Sequence, residues 1–436
     1  MQVKRSEIMP GVWLNYLHSD KFKTACLSLS LLTQLRRETA AQNALIPYVL
    51  RRGTTMYPDM EALSARMDEL YGAIIEPVVR RVGEIQCLGF YASIPEEDFL
   101  LAGTQVLQPA CELLGQLLLS PATRGGLLLP QYVDSERDKL VERIRSRVND
   151  KIGYALIRCL EEMCCYEDFA VSRFGGEEEA AAIHYTKLTR QYRRLLQSCP
   201  VEIFYCGRAP EAMLTGALQE ALSTLPRGEI NYEIGTDVRM NALEAEPRFV
   251  EEHMDVTQGK LVLGFRLGEC MEEPDQAAIT VFNSLYGGGT KSKLFVHVRE
   301  KLQLCYYAGS MADTHKGLLL VNSGIEFDRL DEARDEILAQ LEAIRRGEIS
   351  DEELQSARVG VASDLRALQD SQGELEGFYL SQTLDGLDYG PMELAALCEE
   401  VTKERIVAVA NSVECDLIYF LSGEEDADDD DADKEL

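Results

Sequence analysis

The sequence predicts an α+β fold of two related domains, each a mostly antiparallel sheet packed with long helices. Two observations carry this. Aliphatic and aromatic runs of strand length fall in groups between long helical stretches, which fits helices laid on an antiparallel-rich sheet and not regular βαβ winding. In addition, the segment Tyr185–Gly207 aligns with Val401–Gly423 without a gap.

Strands are expected at Ala25–Leu32, Ile85–Ile94, Val201–Gly207, Lys260–Leu267, Leu318–Phe327 and Asp416–Ser422. Leu140, Ile144, Val148 and Ile152 recur every four residues as one helix face, on a helix placed at Asp134–Asp150. Ile337, Leu338, Leu341 and Ile344 mark another helix, which should stop at Gly347. Ser350 and Glu353 then form an S-x-x-E capping box that opens the next one.

In the repeat, Thr186 aligns with Thr402, Lys187 with Lys403, Cys199 with Cys415, Phe204 with Phe420 and Gly207 with Gly423. Each copy reads as a helix, a closing strand and a glycine turn, the mark of a duplicated unit. The expected division is a first domain at 1–225, a polar linker at 226–241, a second domain at 242–423 and an acidic tail at 424–436.

Composition narrows the function. An apolar fraction of 46% with 27% charged residues is that of a folded, soluble chain. No apolar run reaches the roughly 18–20 residues a membrane helix needs. The N-terminal MQVKRSEIMPGVWLNYL has no apolar stretch of a secretion signal behind its basic pair, so the expected location is cytoplasmic, with no membrane partner. The formal charge is −30; the tail, with nine acids and one lysine, carries −8 of it and reads as disordered. The remaining −22 argues against nucleic acid, whose phosphates need a basic footprint. It is compatible with basic peptides steered by the field, and equally with plain solubility. The twelve cysteines contain no C-x-x-C pair and sit mostly in apolar runs, which reads as reduced packing thiols.

The chemistry-bearing motifs are missing. The five histidines, His18, His184, His253, His297 and His315, stand too far apart in sequence for H-E-x-x-H or H-x-x-E-H, so no helix offers two imidazoles at i and i+4 to one metal ion. No G-x-S-x-G elbow is present. The stretch Tyr286–Phe295, YGGGTKSKLF, fails as a phosphate loop because Thr290 separates the last glycine from lysine. Its glycines Gly287, Gly288 and Gly289 serve either a turn or a close backbone approach to a ligand.

The run Leu285–Ser310, LYGGGTKSKLFVHVREKLQLCYYAGS, resembles the second-domain signature of the pitrilysin and mitochondrial processing peptidase family, the M16 or insulinase-type zinc peptidases. The matching positions are Ser292, Leu294, Phe295, Val298, Arg299, Glu300, Lys301, Leu304 and Tyr306. The resemblance implies that Arg299 and Tyr306, seven residues apart, contact substrate backbone, with Gly287–Gly289 lining its path. It also implies a metal helix in the first domain. Counting back from Arg52, Gly53 and Thr54 puts the two family histidines at Ala44 and Tyr48 and the catalytic glutamate at Pro47. The third ligand position falls on Arg143, beside Glu142. Alanine offers no donor, proline cannot act as a base, and proline is tolerable in a helix mainly near its start. RVNDKIGYALIRCLEEM and FGGEEEAAAIH resemble the middle of the first domain, so the likeness covers the whole folded part.

The resemblance therefore implies a catalytically inactive subunit forming half of a clam-shell chamber. It would be no enzyme by itself and would hold no metal or cofactor, with zinc only in a motif-bearing sister subunit of a heterodimer. Its ligand would be a peptide or unfolded protein. The overall likeness points to a Gram-positive group connected with elongation factor P modification. A non-hydrolytic peptide- or protein-binding scaffold is the alternative.

Overall fold

Strands whose residues are apolar on both faces take the centres of two sheets. The structure is a computed structural model, and it describes residues 3–272 and 274–423; the acidic tail expected at 424–436 lies outside them. The strands are β1 (Lys4–Met9), β2 (Val12–His18), β3 (Thr24–Gln34), β4 (Ile74–Val82), β5 (Ile85–Pro95), the short pair β6 (Thr123–Arg124) and β7 (Leu127–Leu128), β8 (Val201–Gly207), β9 (Arg248–His253), β10 (Gly259–Arg266), β11 (Cys305–Asp313), β12 (Leu318–Ile325) and β13 (Glu414–Ser422).

The chain folds into two units, each assembled from three segments. The first takes Met1–Ser146, Glu167–Thr236 and Ala367–Pro391; the second takes Arg147–Tyr166, Asp237–Arg366 and Met392–Leu436. Residues 226–241, the expected linker, contain no regular element, and the change of unit falls between Thr236 and Asp237.

In the first unit the sheet order is β1-β2-β8-β3-β5-β4. Only the β2–β8 pair is parallel. Alternation along β3 and β8 serves two layers. Ala25, Leu27, Leu29 and Leu31 join Val201, Ile203 and Tyr205 in the main core, under the helices Arg37–Leu50, Leu107–Leu119 and Tyr185–Ser198. On the opposite face, Cys26, Phe204 and Cys206 meet Leu375 and Tyr379 of the helix Gln372–Leu384. That helix comes from late in the chain. Gln372 Nε2 donates to the carbonyls of Thr24 at 2.9 Å and Cys206 at 2.8 Å, and buried Glu376 pairs with Arg80.

In the second unit the order is β11-β12-β10-β13-β9, with β13–β9 the parallel pair. This repeats β4-β5-β3-β8-β2 strand for strand, in direction as well as order. The repeat seen in the sequence maps β8 onto β13, each preceded by its helix, Tyr185–Ser198 or Lys403–Ser412. A backbone detail recurs too. The only non-glycine residues with positive φ among those described are Tyr71, at 58°, and Gln303, at 51°. Each turns the chain from a helix into the outermost strand, β4 or β11. One face of the second sheet takes a helix from early in the chain, Lys151–Met163. It packs so closely that a Cβ at Gly264 would lie 2.7 Å from Met163 Sδ.

All six expected strands are present. The helix placed at Asp134–Asp150 requires correction: it spans Pro130–Arg145 and gives way to a 3-10 turn at Ser146–Asn149. Asp150 caps a new helix by accepting from Gly153 N at 3.1 Å. Val148 and Ile152 therefore do not extend the face of Leu140 and Ile144; the chain leaves the first unit between them. The helix Leu330–Arg345 stops as expected, with Gly347 at φ 72°. The Ser350–Glu353 box closes reciprocally, Ser350 N to Glu353 Oε2 at 2.7 Å and Glu353 N to Ser350 Oγ at 3.2 Å.

Candidate functional site

The helix Arg37–Leu50 carries three of the four positions where the family resemblance places the metal motif. Ala44 is fully buried in the main core. Pro47 is buried in the last turn of the helix, far from its start, contrary to the expectation that a proline here needs a helix beginning close by. A last-turn proline deletes one intrahelical hydrogen bond, and core packing on the flanking residues Ile46 and Val49 holds the turn. Tyr48 is half-buried at the core's edge.

Arg143 reaches the same place from the helix Pro130–Arg145. Its Nη1 donates to Tyr48 Oη, and its guanidinium lies 4.6 Å from the Tyr48 ring centre and 5.4 Å from that of Phe174. Two positions assigned to metal ligands on separate helices thus meet, and what they form is a cation held between aromatic rings. Ala44 has no donor atom and the Tyr48 oxygen already accepts from a cation. The residues present do not fit zinc. Among the described residues no three His, Cys, Asp or Glu side chains gather where they could hold a metal ion.

A buried amide network that the motifs gave no hint of underlies this corner. Asn43 Nδ2 donates to Gln86 Oε1 at 2.9 Å, and Gln191 Nε2 donates to Asn43 Oδ1 at 2.7 Å. Gln86 Nε2 donates to the carbonyls of Ala40 at 3.0 Å and Arg173 at 2.7 Å. The only sequence signal near it was the FGG turn at Phe174–Gly176, whose neighbour across the fold no periodicity could name.

The second unit holds the other candidate residues. Ser292, Leu294, Val298 and Leu304 are buried, so packing explains those signature positions. Tyr286 is fully buried and donates to the carbonyl of Ile337 at 2.9 Å; burial pushes its phenol well above the ordinary range. Arg299 and Tyr306 are different. Arg299 is exposed on a π-helical segment, Phe295–Lys301, with its guanidinium 4.6 Å from the Phe295 ring centre. Tyr306 is 67% exposed and sits in a bulge of β11, where Cys305 pairs with Ile325 and Tyr307 with Gly324, leaving Tyr306 unmatched. Bulges of this kind re-aim a side chain and recur beside functional sites. β11 is also the outermost strand, paired only with β12.

The three glycines divide in role. A Cβ on Gly287 would lie 2.6 Å from both Ser310 N and Ser310 Oγ, so close approach to β11 requires glycine there. Gly288 would meet Asn283 O at 3.1 Å, and Gly289 would meet nothing within 4 Å. His297 lies near Arg299, but burial, Lys301 and Lys293 hold its imidazole below the ordinary value. Burial, the largest cause in each case, pushes the thiols of Cys87, Cys111 and Cys199 upward, which suits packing and not nucleophilic chemistry.

Residues 182–360 match the family model described as the Peptidase M16 inactive domain. Over 418 residues the chain is 31% identical to the probable inactive metalloprotease YmfF of Bacillus subtilis, covering 96% of this chain and 97% of that protein. The crystal structure of a conserved protein from Enterococcus faecalis superposes with a TM-score of 0.87 at 28% identity, over 98% of this chain and 100% of that one. An M16 inactive-domain structure from Pseudomonas fluorescens superposes at 0.77 with 15% identity over 99% and 100%, a likeness of fold. No described helix is long and apolar enough to cross a membrane. With that identity along nearly its whole length, the chain belongs to the M16 peptidase family as an inactive member that is no peptidase by itself.

Proposed function

We propose that the chain is the substrate-holding subunit of a cytoplasmic heterodimer whose sister carries H-x-x-E-H and zinc. The observation that supports this best is Tyr306, unmatched in a bulge and exposed on an outermost strand, near in sequence to an exposed Arg299 that packing does not require. A peptide lying extended along β11 would gain main-chain hydrogen bonds from the strand edge. Gly288 and Gly289 would let its backbone pass closely, Gly287 being taken up by its packing on β11; Arg299 would donate to a substrate carbonyl, and Tyr306 would donate to the oxygen that becomes charged during cleavage in the sister's site. The acidic body of the chain favours basic peptides. Elongation factor P is the first intact protein to offer as a ligand, on the strength of the Gram-positive likeness.

The test is co-expression with a motif-bearing sister, followed by zinc analysis and peptide cleavage by the pair and by each protein alone. Cleavage by the pair only, reduced at least about tenfold by Arg299→Ala or Tyr306→Phe, is the expected result. A pair whose turnover ignores both substitutions sinks the assigned roles. A stable pair that binds peptides and cuts none would establish the scaffold reading instead.

A further inference from the structure

The helix Tyr185–Ser198 carries Lys187, Arg190, Arg193 and Arg194 and no acid. All four are exposed, while Leu188, Tyr192, Leu195 and Leu196 fix its inner side in the main core. The hairpin of β6 and β7 lies against this helix. Leu128 N donates to Thr189 Oγ1 at 3.1 Å, and Arg193 Nη2 donates to the carbonyl of Gly126. The hairpin adds a fifth exposed base, Arg124, which pairs across the strands with Leu127. Leu127, Thr186, Arg190, Arg193 and Arg194 line one surface cavity of about 450 Å³. Three arginine side chains, all from one helix, therefore border the same space.

The surroundings supply little counter-charge. Neither 113–133 nor 180–201, the segments that contain the hairpin and the helix, includes an aspartate or glutamate, in a chain of 74 acids. Among the described residues none of the five bases forms an ion pair. Helix stability does not explain the concentration. Lys187 and Arg190 are three residues apart, as are Arg190 and Arg193, and Arg194 follows Arg190 by four, spacings at which like charges on a helix repel. Lys187 also stands in the first turn, where the helix dipole disfavours a cation. The helix thus bears a cost that an anion at this face would relieve.

We propose that this face is a docking surface for an acidic segment of another protein, an extended run with carboxylates at alternate positions. The inference lies within the first unit and is independent of the peptide-holding reading. A guanidinium fork takes a carboxylate in plane through two charge-assisted hydrogen bonds. It takes a phosphate equally well, and the choice follows from extent. Lys187 to Arg194 covers about 10 Å of helix, the reach of roughly three residues of extended chain. A short acidic segment meets only the basic face. A nucleic acid continues past it, along a body that carries −22 outside the tail and repels phosphate.

The probe is a fluorescein-labelled octapeptide that alternates aspartate with serine, compared with its asparagine counterpart and with an oligothymidylate of the same length. Each is titrated against the full chain by anisotropy. The acidic peptide should bind at least about tenfold more tightly than either comparator, with an affinity that falls as salt is added. Arg190→Gln and Arg194→Gln should each weaken it roughly threefold, the size of an exposed ion pair, and Arg190→Glu with Arg194→Glu at least about tenfold. Melting temperatures of the two glutamine variants should hold or rise, because each removes like-charge repulsion. Arg145→Gln makes the same charge change at an arginine already paired with Glu177, and should leave binding unchanged. Equal binding of the aspartate and asparagine peptides overturns the inference, as does binding that ignores Arg190 and Arg194. Tighter binding of the oligonucleotide overturns the choice of a protein partner. Tighter peptide binding after Asp428→Asn, Asp429→Asn, Asp430→Asn and Asp431→Asn together in the intact chain would make the chain's own tail the occupant and overturn the assignment to another protein.

Discussion

Arg143 donates a hydrogen bond to the phenol oxygen of Tyr48 and lies 4.6 Å from the centre of the same ring. The two residues come from different helices, and each stands where the family resemblance places a metal ligand. A neutral phenol and a guanidinium cannot share a zinc ion, but they can bind each other. The contact they form joins the helices Arg37–Leu50 and Pro130–Arg145.

That contact has a measurable size. Tyr48→Ala and Arg143→Ala, alone and together, should show a coupling of about 0.5–1 kcal/mol in denaturant unfolding, the usual range for a cation–π pair near the surface. Coupling within error of zero would mean that the ring and the guanidinium do not stabilise each other.

The glycine turn gives an internal contrast. Gly287→Ala should destabilise the chain by about 1–3 kcal/mol, because its Cβ would meet the Ser310 backbone N at 2.6 Å and the strand would have to shift. Gly289→Ala should change stability little, since nothing lies within 4 Å and its φ of −149° suits any residue. Thermal melts of the two variants check the order, and similar losses would contradict the close packing at Gly287.

Acid stability should depend on Glu252. Burial by itself would raise its carboxyl, but hydrogen bonds from Tyr154, Tyr419 and Arg158 outweigh burial and hold it below the ordinary value. A carboxyl lowered in the folded state contributes stability above its unfolded-state value and loses it as pH falls through the folded one. Glu252→Gln should therefore destabilise the protein at neutral pH and narrow the gap to wild type at acidic pH. Unfolding midpoints followed from neutral pH into the acid range test this; a gap that stays constant across the range argues against the linkage.

The sequence made the central strands legible and left the margins obscure. β3, β5, β8, β10, β12 and β13 are interior to their sheets and mostly buried, so they read as runs dominated by aliphatic and aromatic residues with few polar interruptions. The strands that escaped notice are β2, the short pair β6 and β7, and the four outermost ones of the two large sheets, β1, β4, β9 and β11. β9 alternates half-buried and exposed residues, and β4 carries charged residues between its aliphatic ones. Local rules were sufficient wherever the chemistry was local, as at Gly347 and the Ser350–Glu353 box.

The sequence by itself determined the fold class, the duplication and the loss of the metal motif, because each is written in residue types at fixed spacing. Tertiary structure decided the rest. Only the fold could put the helices Lys151–Met163 and Gln372–Leu384 on sheets distant from them in sequence, or bring Arg173 and Phe174 beside Arg143 and Tyr48. Such meetings depend on pairing and packing between segments far apart in the chain, and no period or motif in a single sequence encodes which segments meet.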